Sequence, residues 1–93
     1  MSIPFTQYLS PNGHKRAEQI DRSPEIEAIA HKFIDSGGWF ECEILTTGEV
    51  NLTAYYNVDG EPQDLLCKFT ENVPGVLEEA VDRLVRAAGE WKP

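Results

Sequence analysis

The sequence predicts an α+β domain in which two helices pack on one face of an antiparallel sheet. Two segments, residues 26–34 and 77–88, repeat apolar side chains at the helical period. Three segments between them alternate at period two, and Pro, Asn, Asp and Gly mark turns at short intervals. The expected order is β-β-α-β-β-β-α over a single domain, residues 1–93, with an N-terminal hairpin followed by a three-stranded meander.

Residues 5–9 are β-prone, and Ser10-Pro11-Asn12-Gly13 supplies a turn from which residues 14–20 return antiparallel. Ser23 before Pro24 is a capping hydroxyl before a first-turn proline, and Glu25 and Glu27 complement the positive end of a helix. Ile26, Ile29, Ala30, Phe33 and Ile34 form its buried stripe, and Gly37-Gly38 ends it.

From Trp39 the period becomes two. Phe40, Cys42 and Ile44 are expected inward, with Trp39, Glu41 and Glu43 outward. The turn at Thr46-Thr47-Gly48 pairs Ile44 with Val50 and Cys42 with Leu52. After Asp59-Gly60, Leu65, Cys67 and Phe69 are expected inward on a third strand, with Tyr55 opposite Leu66. Leu77, Ala80, Val81, Leu84, Val85 and Ala88 form the stripe of the closing helix, which stops near Gly89.

Eight Lys and Arg stand against 16 Asp and Glu, a formal charge of −8. That balance disfavours broad contact with phosphate backbones or anionic lipid. No run approaches the roughly 20 apolar residues of a membrane span, and the first residues lack a signal peptide's basic start and apolar run. A cytoplasmic location is expected.

Catalytic motifs are absent from the sequence. Cys42 and Cys67 are expected as reduced core thiols on the outer strands of the meander, too far apart for a disulfide. His14 and His31 add no metal-ligand spacing. Glu41 and Glu43 form the only regular carboxylate pair, and both point to solvent on a strand, where solvation outweighs acid–base work. The chain is therefore expected to be no enzyme and to need no metal or cofactor.

The outward face is more informative. Trp39, Tyr55 and Leu66 are expected side by side there as apolar anchors, with Glu41, Glu43 and Glu49 as charge complement. Either the N-terminal hairpin folds over this cluster or extends the sheet edge, or the cluster is an exposed binding patch. Charge is also uneven: residues 1–40 carry 4 basic and 5 acidic residues, and residues 41–93 carry 4 and 11. Lys15, Arg16, Arg22 and Lys32 are the alternative site, a basic edge touching nucleic acid already held by a partner.

The α-β-β-β-α portion resembles the order of double-stranded-RNA-binding domains. Those domains need a basic cluster at the start of the last helix, whereas here it reads Gly75-Val76-Leu77-Glu78-Glu79. The opening Ser2-Ile3-Pro4-Phe5-Thr6-Gln7-Tyr8-Leu9, then Pro11-Asn12-Gly13, Ile20-Asp21-Arg22, Gly37-Gly38, Phe40-Glu41 and Leu45-Thr46-Thr47-Gly48-Glu49-Val50, resemble a group of small phage and prophage proteins of unassigned function. The resemblance implies a mobile-element origin. By association it implies a stoichiometric inhibitor of a host defence protein or ribonucleoprotein, the anti-CRISPR class included. The alternative is a regulatory or structural accessory protein of the phage, monomeric or homodimeric.

Overall fold

Ser23 accepts the Ile26 N–H at 3.3 Å and so caps a helix at the point where Pro24 fixes its first turn. In the computed structural model, which describes residues 2–91, this helix is the third of the elements β1 (Ile3–Leu9), β2 (His14–Ile20), α1 (Pro24–Asp35), β3 (Trp39–Ile44), β4 (Glu49–Val58), β5 (Glu61–Glu71) and α2 (Val76–Glu90). The class is α+β in the expected order.

The sheet runs β2-β1-β3-β4-β5. It is mixed instead of purely antiparallel, because β1 pairs with β3 in parallel, Phe5 beside Phe40 and Leu9 beside Ile44. The strand β2 turns back along the outer side of β1, and α1 then returns the chain so that β3 starts beside β1 in the same direction. The hairpin thus extends the sheet edge.

Both helices bury their stripes in one core. Ile26, Ala30 and Phe33 of α1 meet Ala80, Val81, Leu84, Val85 and Ala88 of α2 over Ile3, Phe5, Phe40, Cys42, Val50, Leu52 and Ala54 of the sheet. Three rings form the centre, Phe40 lying 5.3 Å from Phe5 and 5.2 Å from Phe33. Gly38 is required here, since a Cβ would come within 2.3 Å of the Phe33 ring. Arg22 holds Asp82 through two bonds of 2.8 and 2.9 Å and ties the start of α1 to α2.

The strand β3 pairs with β4 as expected, Ile44 with Val50, Cys42 with Leu52 and Trp39 with Tyr55. The strand β5 does not follow the expectation. Its Asp59-Gly60 turn, with both residues at positive φ, sets Val58 against Glu61 and Tyr55 against Asp64. A bulge then inserts Leu65, so that Ala54 faces Leu66 and Thr53 faces Cys67. One extra residue sends every later side chain to the opposite face. Leu66 therefore packs against the core, and Cys67 and Phe69 are exposed, the reverse of their expected placement. Cys42 is buried on the helix face as expected, and both thiols are free.

Candidate functional site

Because both helices cover one face of the sheet, the other is left open. Period-two alternation sends Tyr8, Glu41, Glu43, Asn51, Thr53, Tyr55, Cys67 and Phe69 to it. These strands and the β1–β2 turn enclose a concavity of about 420 Å³, lined by Tyr8, Glu41, Glu43, Asn51, Thr53, Tyr55, Asp64 and Cys67, with Leu9, Ser10, Pro11 and Gly13 at its rim.

The polar groups of this groove are held in place. Trp39 stacks on Tyr55 with centroids 5.5 Å apart and planes 14° from parallel. Its Nε1 donates to a Glu41 carboxylate oxygen at 2.6 Å. Burial, a hydrogen bond to Glu41 and that carboxylate's charge push the Tyr8 hydroxyl up to about 12. Burial and the charges of Asp64 and Glu41 also raise Tyr55 above the ordinary tyrosine value.

Asn51 donates through Nδ2 to Glu43 at 3.0 Å, while its own Oδ1 is buried with no hydrogen-bond partner. Thr53, 8% exposed, floors the groove and donates to the Cys67 sulfur at 3.6 Å. Lys15 brings a cation to the rim, its Nζ 5.2 Å from the centre of the Tyr8 ring. Chemically the groove offers fixed carboxylates and acceptor oxygens beside aromatic faces, a setting suited to an ammonium or guanidinium group.

Of the anchors expected from sequence, Trp39, Tyr55, Glu41 and Glu43 come together here. Leu66 does not, for the reason given by the bulge. Glu49 lies at the far end of β4, directly opposite Glu71, where both line a depression of about 270 Å³ with Phe69 and Thr70. Phe69, Tyr8, Asn51, Thr53 and Asp64 are added to the surface by the structure. Phe69 is 68% exposed and lies next to Asn51 across the ladder.

The basic residues are dispersed. Arg22 is committed to Asp82, Lys32 lies in the last turn of α1, and Arg16 bonds Gln7 and Glu18 on β2, apart from Lys15 over Tyr8. At the start of α2, the Glu78 carboxylate accepts the Gly75 N–H at 2.9 Å, so an internal acid occupies the positive end of that helix.

Among the described residues, no group of three or more His, Cys, Asp or Glu side chains could hold a metal ion, and no helix is long and apolar enough to cross a membrane. No family model, curated protein or solved structure matches the chain.

Proposed function

We propose that the chain works without catalysis, as a stoichiometric binding protein whose open sheet face seats on a basic surface of a partner protein or ribonucleoprotein and occludes it. One observation carries this reading. The sheet is closed by helices on one side and left concave on the other, where Glu41, Glu43 and Asp64 stand among Tyr8 and Tyr55. Carboxylates already held by Trp39 and Asn51 lose little side-chain freedom on binding, so more of the interaction energy survives as affinity. The tyrosine rings offer faces on which a guanidinium stacks. A formal charge of −8 steers the chain towards basic surfaces before contact.

The resemblance to small phage and prophage proteins directs the partner to the host cytoplasm, as a component of a defence assembly of the kind that anti-CRISPR proteins inhibit. Thiol footprinting tests the reading, because Cys67 is exposed in the groove and Cys42 is buried as an internal control. In a complex captured from host cells, alkylation of Cys67 should slow by about tenfold or more relative to the free chain. An unchanged rate in the complex would place the interface elsewhere.

A further inference from the structure

We propose that the free edge of β5 takes up an extended basic segment of the partner as an added strand. This rests on the open face being the partner-binding surface, and it specifies how the partner is held.

The backbone supplies the first argument. Leu45 N–H donates to Glu49 O at 2.9 Å and Gly48 N–H to Leu45 O at 3.0 Å, so residues 45 and 49 form a bonded pair closing the β3–β4 turn. Alternation along an antiparallel ladder then directs the backbone groups of Asn51 and Thr53 to β3, and those of Val50, Leu52 and Ala54 to β5. Their partners Thr70, Lys68 and Leu66 bond inward. The backbone groups of Cys67 and Phe69, with the N–H of Glu71, are left facing the sheet edge.

The two edges of the sheet differ. The exposed strand β2 carries His14, Lys15, Arg16 and Glu18, a charged edge of the kind that discourages strand pairing. The strand β5 also carries charges, Glu61, Asp64, Lys68 and Glu71, and Pro62, but between the Leu65 bulge and Glu71 only Lys68 is charged, and that stretch presents Phe69 at 68% exposure.

Side-chain seats complete the argument. Successive residues of an added strand fall on opposite sheet faces. Next to Phe69 and Thr70 there is a depression on each face. One, about 270 Å³, is bounded by Glu49 and Glu71, which face each other with no ion pair among the described residues. The other, about 200 Å³, lies between Phe69 and the Val76 and Ala80 side of α2, with Lys68 and the Glu79–Arg83 ion pair around it. The first suits a lysine or arginine, whereas Lys68 and Arg83 at the second disfavour another cation and Phe69, Val76 and Ala80 admit a small uncharged side chain, so the incoming segment alternates the two. A second copy of this chain, at −8, fits this acidic edge poorly.

The probes are an alternating lysine–valine hexapeptide and hexalysine. The alternating peptide should bind more tightly despite its lower charge, and it should protect the Cys67 and Phe69 amides from hydrogen exchange. Cys67→Pro removes an edge N–H without removing a ladder bond, and Cys67→Ala is its control, since both lose the sulfur to which Thr53 donates. Relative to Cys67→Ala, Cys67→Pro should weaken peptide binding and partner capture by about tenfold or more at an equal melting temperature.

Hexalysine binding at least as tightly, with those amides exchanging freely, would overturn strand addition. So would failure of both peptides to bind, or protection of the same amides in a self-associated form of the chain alone. If Cys67→Pro captures the partner at full affinity while Glu41→Lys with Glu43→Lys loses it, strand addition fails and the open-face reading stands.

Discussion

The two faces of the sheet are built from the same strands by the same alternation, yet they solve different problems. On the helix face, Phe5, Phe40, Val50, Leu52 and Ala54 are buried against α1 and α2, and their burial holds the fold together. On the open face, Glu41, Glu43, Asn51, Thr53 and Tyr55 form a hydrogen-bonded and stacked surface that no helix or strand of the described residues covers. A sheet face needing only solubility can be covered with unconnected charges. Here the carboxylates are instead tied to Trp39, Tyr8 and Asn51, which fixes their positions at the cost of the side-chain freedom that solvation leaves intact. If the open face binds as proposed, the contrast separates stability from recognition, residue by residue along a single strand.

The largest effect should come from the closed face. Phe40→Ala removes the ring between Phe5 and Phe33 and should cost about 3 to 5 kcal/mol in denaturant unfolding. A loss below about 1 kcal/mol would mean that this face is not the core.

Next in size is Gly38→Ala, whose new Cβ would push into the Phe33 ring. It should destabilise by about 1 to 3 kcal/mol, and a stabilised variant would contradict the packing.

Asp82→Asn should cost about 1 to 2 kcal/mol at neutral pH, with a defined pH dependence. The hydrogen bonds and charge of Arg22 hold the Asp82 carboxyl below its ordinary value. A depressed carboxylate adds stability that is present above its unfolded pKa and lost as pH falls through the folded one. The gap between wild type and variant should therefore be full at neutral pH and close below about pH 4. A gap unchanged in acid would show that the pair is not the cause.

The smallest stability effect sharpens the comparison from the open side. Phe69→Ser changes a ring that is mostly in water and should shift stability by less than about 0.5 kcal/mol, while weakening partner capture. Destabilisation on the scale of Phe40→Ala would place Phe69 in a core.

Much of this division was legible in the sequence. The cap at Ser23-Pro24, both helical stripes and the β3–β4 register follow from local chemistry and period, and they place Trp39 beside Tyr55 and Glu41 beside Glu43. Parallel pairing of β1 with β3 was not legible, because it joins strands separated by a hairpin strand and a helix, and period two carries no strand direction. The β5 inversion came from one inserted residue. Leu65-Leu66 is an adjacent apolar pair that breaks the alternation, and that doublet was the available signal for a bulge. Missing it exchanged Leu66 for Phe69 as the exposed apolar group, and with it the side of the sheet on which Cys67 lies. Tyr8 could join the groove only once β1 was placed beside β3, and Asp64 only once the β5 register was set, whereas Asn51 follows from the β3–β4 register that sets it opposite Glu43.

The central claim is that the open face binds and the closed face folds. It is tested most directly by measuring thermal midpoint and partner Kd together for Glu41→Lys with Glu43→Lys. The account predicts a midpoint lowered by the lost Trp39, Tyr8 and Asn51 bonds but far less than in Phe40→Ala, partner affinity weakened by more than about 1 kcal/mol, and an altered salt dependence of association. A variant that melts normally and binds the partner with wild-type affinity would contradict it.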